Sequence, residues 1–214
     1  MLRNFHLILW ARLTDSLIML KGLAGMSDST TPRIEGTDHE TAFTPILEAM
    51  KQVRSQQGEI LTKPFLDLCK MILPVLDKFG TSLSPVKSDV GGNINRLSIV
   101  YESNPTKFNF LHSVVQPEIE AKTAKSSSSC TNALLWLTRA MDFLIAVFQN
   151  MLDHPEWGMS QVVMKLAPDR KKFVEVIGRG NEDLNIQMKE FCTRFSPFLR
   201  ENHKFLVRVG MDNL

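Results

Sequence analysis

The chain is short of cysteine, of excess charge and of long apolar runs, and each shortage closes off a class of protein. Its 214 residues include three cysteines, Cys69, Cys130 and Cys192. They are odd in number, far apart and set in apolar or Ser-rich surroundings. That excludes a closed disulfide framework and points to a reducing compartment. Lys and Arg number 25 against 23 Asp and Glu, a net charge of +2, so nucleic acid is not an expected partner. No stretch of about 20 uncharged apolar residues occurs, and nothing reads as a membrane span. Enzyme signatures are missing too: there is no GxSxG, P-loop or HExxH, and no pair of Cys or His at metal-ligand spacing. Neither catalysis nor a metal or other cofactor is expected. Gly178-Arg179-Gly180 lacks a third glycine and a preceding strand, so it reads as a turn. The five histidines, His6, His39, His112, His154 and His203, are scattered and read as surface or capping residues rather than catalytic ones.

What is present suits a globular domain. A hydrophobic fraction of 43% with 22% charged residues supports a buried core, and the length favours one domain. Residues 5–24 are apolar but carry Arg12, Asp15 and Lys21, and no small-residue cleavage site follows. Two readings stay open here: an amphipathic targeting or membrane-surface helix with Arg3 and Arg12 as its cations, or an upstream extension with Met26 as the start. The polar stretch after Met26 has the composition of a tail. Residues 1–42 are therefore read as an extension and tail, and 43–214 as the domain.

From Phe43 onward the apolar period is helical. Thr62-Lys63-Pro64 opens a helix through Phe79, kinked at Pro74. Ser84-Pro85 opens another to about Tyr101, and Asn104-Pro105 a short one. Phe108–Val115 is the one segment apolar and short enough to resemble a strand, and Pro117 stops it. The Ser-rich tract before Asn132 is a loop whose last polar residue caps a buried helix over 131–152. Further helices are expected at 160–167, 169–178, 182–193 and 196–209, the last two separated by Ser196-Pro197. The expected class is all-α.

Within the second long helix, Asp89, Asn93 and Arg96 fall at i, i+4 and i+7, so they project within about 60° of one another. Beside them runs the apolar stripe Val86, Val90, Ile94, Leu97 and Tyr101. An acceptor, an amide and a cation in a row beside an apolar stripe suit an amphiphilic ligand. Taken by spacing alone, a solvated face with an Asp–Arg network is the commoner outcome.

The segments KSDVGGNINRL, YESNPTKF, ALLWLTRAMDF, LAPDRKKF and FSPFLRENHKFLVRVGMDNL, in this order, resemble the glycolipid transfer protein family, and most closely its plant cytosolic members. The resemblance runs from about Phe43 to Leu214. It implies a two-layer all-α sandwich that shuttles a glycosphingolipid between membranes without covalent chemistry. It also implies a cytosolic monomer that touches membranes transiently. By the same resemblance Asp89 matches the aspartate that accepts bonds from the ceramide amide and sugar hydroxyls, and Asn93 the sugar-binding asparagine. Arg96 stands where the family usually has lysine, a donor to the sugar; a planar fork replaces a point charge there. Trp136 matches the tryptophan on which the sugar stacks. Relatives that prefer ceramide-1-phosphate carry a cation at that position, so Trp136 implies a neutral sugar.

The match is interrupted once. Family members have a helix with a His-Gly-Trp motif, whose histidine bonds the ceramide carbonyl. Here Asp153–Gln161 runs directly into Val162–Pro168, so about 25 family residues, enough for a helix of nearly 40 Å, are missing. Alternative splicing and a misjoined gene would both produce the gap. His154 and Trp157 match a stretch ahead of the missing helix and are not expected to replace its motif. If the gap opens the pocket, the alternative function is a non-transferring helical interaction or lipid-sensing module.

Overall fold

The computed structural model describes residues 41–77, 84–154 and 181–211. The N-terminal segment through residue 40, the expected helices at 160–167 and 169–178, the 178–180 turn, Trp157 and the 161–162 junction lie outside the described residues. The described chain forms α1 (Thr44–Met50), α2 (Thr62–Asp77), α3 (Ser84–Ser103), a 3-10 turn (Leu111–Val114), α4 (Gln116–Glu120), α5 (Cys130–Asp153) and α6 (Asn181–Arg208). Among the described residues there is no strand, only two isolated antiparallel bridges, Arg54–Ile60 and Leu61–Phe110. The class is all-α, as the period of the apolar residues implies.

The helices pack in a closed circuit, α1 on α2, α2 on α3, α3 on α5, α5 on α6 and α6 back on α1. Its centre is a run of phenylalanine rings. Phe43, ahead of α1, meets Phe148 of α5 and Phe191 of α6, each at 5.4 Å between centroids. Phe191 stacks on Phe195 at 5.2 Å, and Phe195 reaches Phe65 of α2 at 6.1 Å. Such pairs add to the area term when rings are offset or edge-on. Helix α5 is long and apolar enough to cross a membrane by length and composition, but 72% of its most apolar window is buried inside the fold. It is the central helix of the core, as apolar residues on almost every side require.

Two expectations are corrected. Residues 182–209 were expected to form two helices, but α6 runs unbroken through Pro197. An internal proline costs about 3 kcal/mol through a lost bond and a clash. The continuous stripe of Leu184, Met188, Phe191, Phe195, Phe198, Leu199, Asn202 and Leu206, all buried, outweighs it, because breaking the helix would lift half the stripe off the core. The Ser196 hydroxyl donates to the Cys192 carbonyl at 2.6 Å within the same turn. Asn104-Pro105 starts a hydrogen-bonded turn rather than a helix. The Asn104 side chain accepts from Lys107 N at 3.0 Å, a local bond that competes with helix propagation. The strand-like segment makes a single bridge at Phe110 and then coils into the 3-10 turn.

Two histidines depart from the surface or capping role. His203 pairs with Asp142 of α5 at 2.5 Å. His112 lies flat on Phe205, 4.1 Å between centroids, and its Nε2 is 3.0 Å from Asn202 Oδ1. The amide oxygen only accepts, so Nε2 carries the proton. Asn202, fully buried, donates in turn to Thr138 Oγ1 at 3.3 Å. Burial holds the His112 pKa below its ordinary 6.5, only partly offset by the Asn202 bond. The unfolded chain therefore takes up this proton first as pH falls. The stability contribution is complete above pH ~6.5 and declines as pH drops from there toward the lowered folded value. Thermal melts of the protein between pH 7.5 and 5 are expected to show a falling midpoint, with a shallower fall in His112→Gln.

All three cysteines are buried and free. Burial pushes the Cys130 thiol up to about 11 and the Cys192 thiol up to about 12, so neither holds a reactive thiolate at neutral pH.

Candidate ligand-binding site

Helix α3 starts at Ser84-Pro85 and turns its apolar stripe inward: Val86, Val90, Ile94 and Leu97 are all buried. The polar row lies beside that stripe. Asp89 is exposed, Arg96 is half-buried, and Asn93 is only 6% exposed. The Asn93 Nδ2 group has no hydrogen-bond partner. A buried donor left unpaired costs about 1–3 kcal/mol, and such atoms are rare in folded proteins. Next to it the helix backbone is bare: a Cβ on Gly91 or Gly92 would meet nothing within 4 Å. Glycine in a helix interior destabilises by roughly 1 kcal/mol relative to alanine, and no packing contact here requires it.

Arg96 joins this face to α5. Its Nη1 donates to the carbonyls of Ser127 at 3.1 Å and Ser129 at 3.3 Å. Asn132 Nδ2 donates to the same Ser127 carbonyl at 3.1 Å. The entry of α5 is fastened twice more. Ser129 is its N-cap, accepting from Asn132 N at 2.9 Å. The Glu118 carboxylate accepts from Cys130 N at 2.7 Å and Thr131 N at 2.8 Å. These bonds satisfy donors that the first turn of a helix leaves without intrahelical partners. Ser129→Ala is expected to lower unfolding free energy by about 1 kcal/mol, read as a shifted urea midpoint. Loss of amide protection should be confined first to the start of α5.

Trp136 sits on α5 six residues beyond Cys130, about 9 Å along the axis. It is half-buried, and the Arg139 guanidinium lies over its ring at 5.2 Å from the centroid. Arg139 is itself only 8% exposed. Sequence reasoning did not single out Arg139; the available signal was its i+3 spacing from the tryptophan, which places both on one helix surface.

The structure thus keeps Asp89, Asn93 and Arg96 on one helix and ties Arg96 to the entry of the helix that carries Trp136. His154, the C-cap residue of α5, stands at the far end of that helix. The two helices carry a carboxylate acceptor, an amide donor without a partner, a guanidinium and an indole. Chemically, such a set suits a polyol: hydroxyls would take the polar groups and C–H faces the indole. It holds no general base paired with a nucleophile. Among the described residues no three His, Cys, Asp or Glu are grouped to hold a metal ion.

The chain was also compared with known proteins. Residues 60–165 match the model of the family described as "Glycolipid transfer protein (GLTP)". The chain is 53% identical over 197 positions to glycolipid transfer protein 1 of Arabidopsis thaliana, covering 81% of this chain and 97% of that protein. It is 29% identical over 187 positions to glycolipid transfer protein 2 of the same plant, with 75% and 84% covered. In the first alignment 81% of 214 residues is about 173, so about 24 of the 197 positions face no residue of this chain. Among solved structures, the one showing how FAPP2 selects simple glycosphingolipids using the GLTP-fold superposes with a TM-score of 0.65 at 26% identity, covering 81% of this chain and 98% of that one. The human ceramide-1-phosphate transfer protein bound to its 12:0 lipid shares the fold at 17% identity, with a TM-score of 0.68 and coverage of 78% and 96%.

Proposed function

This chain belongs to the glycolipid transfer protein family, and from that premise we propose that it carries a glycosphingolipid with a neutral sugar headgroup from one membrane to another. The supporting observation is the Asn93 amide, buried yet lacking a partner. Buried donors without a partner are rare and call for an explanation, and a ligand hydroxyl accepting from Nδ2 supplies one. In this reading Asp89 accepts from the ceramide amide and sugar hydroxyls, and Asn93 donates to a hydroxyl. Arg96 offers the N–H groups not engaged by the 127–129 carbonyls, and Trp136 takes the face of the sugar ring. A half-buried indole, rather than a cation, suits an uncharged ring better than a phosphate.

Transfer on this proposal is diffusional and involves no covalent step. A soluble monomer formed by residues 43–214 docks on a membrane in the cytosol, extracts one lipid, shields its chains and releases it elsewhere. In this reading the buried stripe of α3 and the core it packs against part to admit the chains. Chain burial is worth about 25 cal/mol per Å² removed from water, so the chains supply most of the affinity and the sugar supplies selection.

The experiment is transfer of fluorescent glucosylceramide between two vesicle populations, with ceramide-1-phosphate as the competing cargo. The wild-type chain should transfer glucosylceramide and spare the phosphate lipid, and Asp89→Val should abolish transfer while melting normally. A wild type that moves neither lipid, or moves both equally, would refute the proposal.

A further inference from the structure

We propose that Arg139 is a positioning residue for the headgroup site, holding the Trp136 indole in the orientation that receives a sugar ring. The inference rests on the glycolipid reading above and adds a residue that neither the family match nor the sequence assigns. Arg139 is only 8% exposed, and its charge needs partners, since burying a charge without them is expensive. One of its partners is the Trp136 π face, with Cζ 5.2 Å from the centroid. Tryptophan is the best of the aromatic rings for a cation–π pair, and the pair is stronger when desolvated.

The geometry has a direct consequence for recognition. Trp136 is half-buried, and packing alone leaves a half-buried indole more rotational freedom than a fully enclosed one. Arg139 lies over the ring, so the position of its guanidinium bears on the orientation in which the indole would meet a sugar. Because Trp136 and Arg139 are three residues apart on α5, the pair is set by a single helix. That helix is in turn fixed by Ser129 and Glu118 at its entry. Rigid support of a binding side chain by a neighbour that does not touch the ligand is what lets a site select rather than merely attract.

A double-mutant cycle tests this. Wild type, Arg139→Met, Trp136→Leu and the double variant are titrated with vesicles containing fluorescent glucosylceramide and, separately, fluorescent ceramide. The ratio of the two affinities is the readout. Arg139→Met is expected to lower the ratio about fivefold in the wild-type background and to leave it unchanged in the Trp136→Leu background. A general loss of structure would instead lower both affinities alike. Arg139→Lys, which keeps a charge without the planar fork, should fall between and should shift the Trp136 indole N–H resonance. It carries the test alone if Arg139→Met does not fold. Equal losses in both backgrounds, or an unchanged ratio and indole resonance in Arg139→Lys, overturn the role of Arg139. A wild type with no preference for glucosylceramide over ceramide overturns the headgroup reading itself.

Discussion

Asn93→Leu is expected to make the empty protein more stable and to remove its glycolipid binding. The two effects have opposite signs because they come from one atom in two states. Without a ligand, Nδ2 is a buried donor with no acceptor, a deficit of about 1–3 kcal/mol that leucine of similar volume does not incur. With a sugar hydroxyl in place, the same donor is satisfied and leucine leaves that hydroxyl unpaired. The melting midpoint of the empty variant should therefore rise by several degrees. Affinity for glucosylceramide should fall about tenfold or more, at 1.4 kcal/mol per decade. Asn93→Ala does not separate the effects as cleanly, because it adds a cavity. A variant that loses stability and keeps binding would show that Asn93 serves the fold and not a ligand.

Phe195→Ala is expected to cause the largest loss of stability outside the site, about 3–5 kcal/mol. The ring is fully buried and in contact with Phe191 at 5.2 Å, Phe198 at 5.9 Å and Phe65 at 6.1 Å. Removing it leaves a void where α6 meets α2, and these neighbours cannot all close on it at once. Against a typical total of about 5–15 kcal/mol, the variant should unfold at markedly lower urea and could leave little folded protein at 37 °C. Ile186→Ala, on the same helix but exposed, is the matched control and should change stability by no more than about 0.5 kcal/mol. Similar losses in the two would mean that the phenylalanine run does not hold the circuit of helices together.

The sequence was most informative where the physics is local. A helix repeats every 3.6 residues whatever lies around it, so the period alone placed α2, α3 and α5 to within a few residues and put Asp89, Asn93 and Arg96 on one face. Capping is local as well, and the Ser-rich tract duly ends in Ser129, the N-cap of α5. Two local readings failed, one to distant packing and one to a competing local bond. Pro197 reads as a break, yet the buried stripe on both sides of it carries α6 straight through. Asn104-Pro105 reads as a helix start, and an Asn side-chain bond makes it a turn instead.

The amino-acid sequence by itself determined the helical class, the row of polar residues on α3 and the family. Spacing, caps and motifs are properties of neighbours along the chain. Only the tertiary structure decided that the Asn93 amide is buried without a partner and that Arg96 reaches carbonyls more than thirty residues away. Tertiary packing likewise set His112 against Asn202, ninety positions further on, and buried Arg139 beside the Trp136 ring. Burial and long-range partnership depend on how helices pack, and no local pattern encodes which side chain a fold will enclose and leave unsatisfied.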